Sequence, residues 1–184
     1  LDLTLWMMNN YKPKYVVGNT YHKLAQTENA ANAFGPWNPA EFTVEDSAFG
    51  FIVMENGATI YLESSWALNS LDVGEAQTTL HGTNGGADMK DGLRINGEAD
   101  GMMYDKTMVL EPGGVDFYDG SGDDPAYLEA KQWIESIQND TEPVVSPEQA
   151  LVVTQILEAI YQSAKTGAPV YINQHKEELG KILV

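Results

Sequence analysis

The chain has 184 residues, about the length of one domain, and its 10 Lys and Arg stand against 27 Asp and Glu, giving a formal charge of −17. Binding to nucleic acid needs clustered cations and is excluded, and binding to an anionic membrane surface is disfavoured for the same reason. No apolar run is long enough to span a membrane. The absence of cysteine excludes disulfides, thiolate zinc sites and a cysteine nucleophile, whereas 43% hydrophobic residues are enough for a folded core.

The first part of the chain predicts a helix, a strand and a long loop. Apolar residues recur at helical spacing over residues 1–10 and predict a helix. β-Branched and aromatic residues predict a strand over 14–24, and the Gly- and Pro-containing stretch 25–41 predicts a loop. The first residues resemble the interior of a buried helix, with no cap and no initiator Met, so we expect the chain to be a fragment of a longer protein.

The middle of the chain predicts an antiparallel meander. Two apolar-rich runs, 42–54 and 58–67, are joined by Glu55-Asn56-Gly57, and Asn-Gly between such runs is the strongest short-range signal of a β-hairpin. Turn-forming residues, among them Asn84-Gly85-Gly86 and Asn96-Gly97, separate further short strands. These are predicted over 75–82, 87–90, 93–96 and 102–111.

Two helices and an edge strand are predicted to close the chain. The first helix begins at Pro125 and carries one apolar stripe. The second spans 147–165, after a capping box formed by Ser146 and Gln149. A short edge strand is predicted at 170–172, and residues 173–184 form a mostly polar C-terminal tail.

This order of elements predicts the α+β class, with a large, mostly antiparallel, open-faced sheet and helices packed on one of its faces. The strand at 48–54 is apolar on both sides, with one side formed by Phe49, Phe51 and Val53 and the other by Gly50, Ile52 and Met54. Because three helices cover only one face of such a sheet, we expect the other face to meet a second copy of the chain. The alternative is that the tail or the long loop covers this face.

The usual signatures of catalysis are absent from the sequence. It contains no phosphate-binding loop, no GxGxxG or GxSxG motif, and no pair of histidines at the spacing of metal ligands. Glu45 and Asp46 are adjacent carboxylates, but neighbours on a strand point to opposite faces. A hydrolase that uses this pair is therefore the least favoured hypothesis, and no metal site is predicted.

Two loops predict a ligand site. The long loop contains Trp37, and the loop after the hairpin contains Asn69 and Asp72. A flat aromatic ring stacks on the CH groups of a sugar while amide and carboxylate groups bond its hydroxyls, so these residues are predicted to bind a polyhydroxylated ligand. His22, where a predicted strand leads into the long loop, is a further candidate. The alternative is that the Asn and Asp residues only form turns.

Several segments together resemble one protein family. They are LDLTLWMM at residues 1–8, VEDSAFGF at 44–51, ENGA at 55–58, ESSW at 63–66, SPEQA at 146–150 and KTGAPV at 165–170. In this order and spacing they resemble the C-terminal domain of the glucose–fructose oxidoreductase / inositol dehydrogenase / MocA family. The resemblance extends over residues 1–172 and does not include the tail.

The resemblance implies an enzyme in which one domain binds the cofactor and another binds the substrate. Members of the family bind NAD or NADP in an N-terminal Rossmann domain, and their C-terminal α+β domain supplies the pocket for a sugar, inositol or related polyol. Their catalytic Lys and His would lie upstream of Leu1, so this chain is expected to hold no catalytic or cofactor-binding residue and to be inactive alone. The resemblance adds Asp2 to the predicted substrate-binding residues. It also implies a homodimer or homotetramer formed through the open face, and a cytoplasmic location is expected.

A second hypothesis is a non-catalytic polyol-binding or scaffolding module with the same fold. The sequence upstream of Leu1 distinguishes the two hypotheses. A glycine-rich nucleotide-binding fingerprint and a Lys-Pro motif there would favour the enzyme.

Overall fold

A computed structural model describes residues 1–28, 31–32, 35–71, 74, 77–90, 92–108 and 125–172. These residues form two compact units. The first contains Leu1–Leu71 and the described part of Pro147–Val184, and the second contains the described part of Asp72–Ser146. Each unit has its own four-stranded antiparallel sheet, which confirms the α+β class and divides the predicted strands between two sheets.

The elements follow the chain in an order close to the predicted one. They are α1 (Asp2–Met8), β1 (Pro13–Tyr21), β2 (Ala31–Asn32), β3 (Gly35–Pro36), a 3-10 helix (Pro39–Glu41), β4 (Ser47–Met54), β5 (Thr59–Ser65), β6 (Thr79–His81), β7 (Gly85–Asp88), β8 (Arg94–Ala99), β9 (Met102–Thr107), α2 (Pro125–Asn139), α3 (Pro147–Thr166) and β10 (Val170–Tyr171). The first sheet has the order β10-β1-β4-β5 and the second the order β6-β7-β8-β9, while β2 and β3 pair only with each other.

The predicted hairpin is confirmed. Strands β4 and β5 pair in register through Ile52 and Ile60, and Gly57 in their turn has a φ of 87°, which glycine adopts without strain. The edge strand is confirmed too, because β10 pairs with β1 through Val16 and Val170. The long loop differs from its prediction, since it contains the β2–β3 pair and the 3-10 helix.

The turn predicted at Asn96-Gly97 is wrong, because both residues lie inside β8. The chain instead turns at Asp100 and Gly101, which have φ angles of 54° and 74°. Gly97 serves close packing: a Cβ built on it would lie 2.6 Å from the hydroxyl oxygen of Tyr104 on β9. In this sheet the glycine makes room for an aromatic side chain from the neighbouring strand.

The core of the first unit lies between its sheet and helix α3. Its buried side chains include Leu5, Val16, Ile52, Met54, Ile156 and Ile160. Gly18 and Gly50 pair directly across β1 and β4, and both face Ile160 of α3. The amide of Gly18 donates a 3.0 Å hydrogen bond to Oγ of Ser163, so α3 supplies a partner to β1 beyond the end of β10.

The opposite face of the same sheet is rich in apolar and aromatic side chains, and we call it the outer face. Its apolar and aromatic residues are Tyr15, Val17, Tyr21, Phe49, Phe51, Val53, Tyr61 and Tyr171, and its polar residues are Asn19, Ser47, Thr59, Glu63 and Ser65. Phe51 is 45% exposed and Tyr61 is 67% exposed, whereas Ile52 and Met54 on the inner face are fully buried. This confirms the assignment of β4 residues to two apolar faces.

Polar and cation–π contacts link the strands of the second unit. Arg94 on β8 binds Asp88 on β7 through two hydrogen bonds, from Nε at 2.9 Å and from Nη2 at 2.6 Å. The ammonium group of Lys106 lies 4.6 Å from the centre of the Tyr104 ring. Helix α2 forms as predicted, and its apolar stripe is exposed, with Trp133 at 55%.

Candidate functional site

A buried carboxylate organises one end of the first sheet. Asp46 is 2% exposed and accepts backbone N–H bonds from Lys23, from Leu24 at 2.8 Å and from Ala25 at 3.2 Å. The hydroxyl of Ser47 donates a further bond to its other oxygen at 2.9 Å. Asp46 therefore fixes the segment that follows β1 against the start of β4.

Two opposing effects set the pKa of Asp46. Burial raises the pKa of this carboxyl, but the hydrogen bonds donated by Ala25, Ser47, Leu24 and Lys23 lower it by more, so the pKa lies below its ordinary value. A carboxylate with a low pKa is a weak base and has no proton to donate at neutral pH. Asp46 is therefore suited to holding structure and not to acid–base catalysis.

A cavity of about 470 Å³ opens beside this carboxylate. It is lined by Tyr21, Lys23, Leu24, Asp46, Ser47, Phe49, Ala67 and Leu68. The rings of Tyr21 and Phe49, both on the outer face, meet edge to face with their centres 6.0 Å apart. The volume is within the range of small-molecule sites, so this cavity is the candidate functional site.

An aromatic cluster supports the segments around the cavity. Phe42 stacks on Trp66 with ring centres 4.6 Å apart, and Trp37 meets Trp66 edge-on at 5.0 Å. The indole N–H of Trp37 donates to the carbonyl of Ala25 at 2.9 Å, and that of Trp66 donates to the carbonyl of Glu45 at 2.6 Å. The two tryptophans thus join the segment that follows β1, the segment before β4 and the end of β5.

Helix α3 is attached to the same region through a tyrosine. The hydroxyl of Tyr161 donates to the carboxylate of Glu45 at 2.5 Å. This hydrogen bond, together with burial and the charge of Glu45, raises the pKa of Tyr161 above its ordinary value. Glu45 and Asp46 therefore bind different partners, which agrees with the expectation that they do not act as an acid–base pair.

Two of the predicted ligand residues are next in the chain to residues that line the cavity, but neither is in its described lining. His22 lies between the lining residues Tyr21 and Lys23, and Asn69 directly follows the lining residue Leu68. Both side chains are exposed. The cavity is therefore lined by the end of the predicted strand 14–24 and by the start of the loop after the hairpin, and not by the described residues of the loop 25–41.

The other predicted residues lie elsewhere. Trp37 belongs to the aromatic cluster and gives its N–H to a backbone carbonyl. Asp2 is exposed at the start of α1 and is absent from the described lining of the cavity. Burial raises the pKa of Tyr11, and the negative charge of Asp2 raises it further. Asp72 lies outside the described residues.

Sequence reasoning missed the aromatic and apolar residues that line the cavity, among them Tyr21, Phe49 and Leu68. A signal for Asp46 was present, because a charged residue stands immediately before a strand that is apolar on both faces. Its backbone partners were not visible, since they lie more than twenty residues earlier in the chain.

The described residues offer no metal site, because no group of three His, Cys, Asp or Glu side chains comes together within them. Within the same part of the chain, no helix is both long enough and apolar enough to cross a membrane. Gly82 donates to the carbonyl of Gly85 at 2.8 Å in a tight turn between antiparallel strands. Such a turn lacks the following helix whose N-terminus holds a dinucleotide phosphate, so these glycines do not fit a nicotinamide cofactor.

Residues 1–172 match the family described as "Oxidoreductase family, C-terminal alpha/beta domain". The D-glucoside 3-dehydrogenase of Escherichia coli K12 is 28% identical over 174 residues, which are 92% of this chain and 45% of that protein. The chain therefore spans about half the length of the curated relative that it matches.

Solved structures share the fold at low sequence identity. An oxidoreductase from Agrobacterium radiobacter, in complex with NAD+, L-tartaric acid and magnesium, has a TM-score of 0.65 at 18% identity, covering 95% of this chain and 47% of that one. A levoglucosan dehydrogenase in complex with NADH and L-sorbose has a TM-score of 0.63 at 19% identity, covering 88% of this chain and 45% of that one. These similarities show the fold.

Proposed function

Since the chain belongs to the oxidoreductase family as its C-terminal alpha/beta domain, we propose that it is the substrate-binding and oligomerisation domain of an enzyme that transfers a hydride between NAD or NADP and a sugar, inositol or related polyol. The match over residues 1–172 carries this proposal. The relative named for D-glucosides and the structural neighbours that hold a nicotinamide cofactor support it. The cytoplasmic location expected from the sequence is part of the same proposal.

In this proposal another domain binds the nicotinamide cofactor, because the glycines in the turn between β6 and β7 do not fit that cofactor. The catalytic Lys and His are likewise placed outside the chain, so the 184-residue chain alone is expected to show no dehydrogenase activity. A non-catalytic polyol-binding module is the second candidate, and it predicts polyol binding without hydride transfer.

We assign substrate contacts to Asp2, His22, Trp37, Asn69 and Asp72. The support is strongest for His22 and Asn69, which are exposed and are next in the chain to residues that line the cavity. In the longer protein that carries this domain, Asp2 reaches the substrate from the start of α1. Its exposure leaves its carboxylate open to a ligand hydroxyl.

The test is a turnover screen of the longer protein with glucosides, free sugars and inositols, using NAD and NADP in turn and following reduction of the nicotinamide. We expect Asp2→Asn to lower kcat/KM by about tenfold with no change in thermal stability, because the hydrogen bond that a substrate hydroxyl donates to the charged carboxylate is lost. The control is Asp105→Asn. Asp105 is also an exposed carboxylate, on β9, and its replacement is expected to change neither kcat/KM nor thermal stability.

A loss of thermal stability in Asp2→Asn with unchanged kinetics would assign Asp2 a structural role only. Binding of a polyol without reduction of either cofactor would favour the non-catalytic module over the enzyme.

We also propose that the outer face joins copies of the chain into a dimer or tetramer. Its exposed aromatic and apolar side chains are costly to leave in water, and a symmetric contact between two copies buries them on both sides. In sedimentation, the chain is expected to be a dimer or larger. Phe51→Lys is expected to give a monomer, because it buries a charge in this contact.

Leu157→Lys is the matched control, since Leu157 is 41% exposed on α3 and lies on the other side of the sheet from Phe51. It is expected to leave the assembly unchanged. A wild-type chain that sediments as a monomer at high concentration contradicts the proposal.

A further inference from the structure

The outer face is divided along its strands into an apolar part and a polar part. Strand pairing places its side chains in four rows that cross the sheet. The two apolar rows contain Tyr171, Tyr15, Val53 and Thr59 in one row and Val17, Phe51 and Tyr61 in the other. The two polar rows contain Asn19, Phe49 and Glu63 in one row and Tyr21, Ser47 and Ser65 in the other.

The cavity opens at the polar rows. Three of its lining residues, Tyr21, Ser47 and Phe49, belong to these rows, whereas no residue of the apolar rows is in its described lining. Leu68 lines the cavity three residues after Ser65, which ends β5. The cavity and the polar rows therefore form one continuous surface at one end of the first sheet.

This surface offers a polyol both donors and acceptors. The hydroxyl oxygen of Tyr21 accepts a bond from the side-chain amide of Asn19 at 3.2 Å, so the hydroxyl proton of Tyr21 is left to donate. Lys23 lines the cavity and carries three further donors on its ammonium group. Glu63 pairs with Phe49 across β4 and β5, and its exposed carboxylate is an acceptor. Hydroxyl groups that leave water here find partners of both kinds.

One copy of the chain leaves this surface open on one side. Tyr21 is 38% exposed and Leu68 is 44% exposed, although both line the cavity. Sites for small molecules usually bury most of the surface of their ligand. A sugar on the polar rows of a single copy would keep one face of its ring in water, so the site lacks a wall.

A second copy on the outer face would supply this wall. Apolar surface suits the centre of a contact between proteins, and polar surface suits its rim. The chain has a net charge of −17, but the rows of the outer face contain one charged side chain, that of Glu63. Two copies therefore meet with little repulsion at this face. At the rim, Glu63 also escapes burial without a partner, which is costly for a carboxylate.

Resting on the proposed function, we infer that the polyol site is shared between two copies of the chain. The cavity and the polar rows of one copy bind the hydroxyl groups, and the outer face of the second copy covers the ligand. Glu63 is then a substrate-binding residue, whose carboxylate accepts bonds from the polyol. Ligand binding and association of the copies are coupled, so each strengthens the other.

The test titrates methyl β-D-glucoside and myo-inositol calorimetrically into the 184-residue chain, with sedimentation at the same protein concentrations. Phe51→Lys and Tyr61→Lys change exposed residues of an apolar row outside the described lining. Each is expected to give a monomer that binds the ligand about tenfold more weakly, because the covering wall is lost. Saturating ligand is expected to tighten the wild-type dimer by about tenfold for each molecule bound. Leu157→Lys, on α3, is the control and is expected to change neither association nor affinity.

Glu63→Gln tests the residue itself. It is expected to weaken ligand binding by about tenfold, because a charged acceptor is lost, and to leave the association of unliganded copies unchanged. Glu158→Gln is the matched control, since Glu158 is an exposed glutamate on α3, which packs on the inner side of the sheet. Equal effects of the two substitutions would overturn the assignment of Glu63.

The remaining outcomes separate this inference from the proposed function. Monomeric Phe51→Lys and Tyr61→Lys that bind as tightly as the wild type refute the shared site and leave a sugar-binding function and the dimer standing. A wild-type chain that binds either ligand as a monomer refutes the shared site and the dimer, but not the sugar-binding function. A wild-type dimer that binds neither ligand contradicts the shared site and the sugar-binding function together.

Discussion

Asp46→Asn is expected to destabilise the chain by about 2–4 kcal/mol. The substitution preserves shape but replaces one carboxylate oxygen with an NH2 group, which cannot accept a bond. Fewer lone pairs then remain to accept the hydrogen bonds of the Lys23, Leu24 and Ala25 amides. Because the side chain is 2% exposed, water does not replace the bonds that are lost. Urea denaturation followed by circular dichroism measures the loss.

The control is Asp105→Asn, which changes an exposed carboxylate and is expected to alter stability by less than about 0.5 kcal/mol. If both variants unfold at the same urea concentration as the wild type, the buried carboxylate does not organise this end of the sheet.

The same carboxylate makes stability depend on pH in a defined direction. Its pKa in the folded chain lies below the ordinary value of 3.8, so the unfolded chain takes up a proton first as the pH falls. The stabilisation by Asp46 is therefore complete above roughly pH 5, and it is lost as the pH falls through 3.8 towards the folded pKa. The stability difference between wild type and Asp46→Asn should shrink over this range. A difference that grows on acidification would contradict the assignment.

Gly18→Ala is expected to destabilise the chain by about 2–3 kcal/mol, and Gly50→Ala by about 1–2 kcal/mol. A Cβ on Gly18 would lie 2.7 Å from Cγ2 of Ile160 and 3.0 Å from the carbonyl oxygen of Phe49. A Cβ on Gly50 would lie 2.7 Å from Cδ1 of Ile160, which is the movable end of that side chain. The overlap outweighs the roughly 0.5–1 kcal/mol by which alanine is otherwise favoured over glycine within a strand.

A double-mutant cycle with Ile160→Val tests this geometry atom by atom. The valine lacks Cδ1, so it should recover about 1 kcal/mol of the loss in Gly50→Ala. The valine retains Cγ2, so the unfolding free energies lost in Gly18→Ala and in Ile160→Val should be additive in the double mutant. Equal recovery in both pairs would show that helix α3 does not approach the sheet as described.

Local pattern was enough to place most of the elements. Apolar spacing predicted the three helices, and Asn56-Gly57 predicted the hairpin turn, because helical periodicity and turn chemistry depend on neighbours within a few residues. Alternation also predicted that Ile52 and Phe51 lie on opposite sides of β4, and the structure decided that the side of Ile52 is the core. The second Asn-Gly, at 96–97, failed because the glycine there makes room for Tyr104 rather than for a positive φ.

The sequence by itself determined the α+β class, the order of the elements and the family, since these follow from short-range periodicity and from motifs in sequence order. Only the tertiary structure decided the backbone partners of Asp46, the contact of Gly18 with α3 and the existence of a cavity beside Asp46. The amide of Gly18 and the hydroxyl of Ser163 are 145 residues apart. A contact of that kind leaves no local periodicity in the chain, because it arises only when helix and sheet pack to bury their apolar faces.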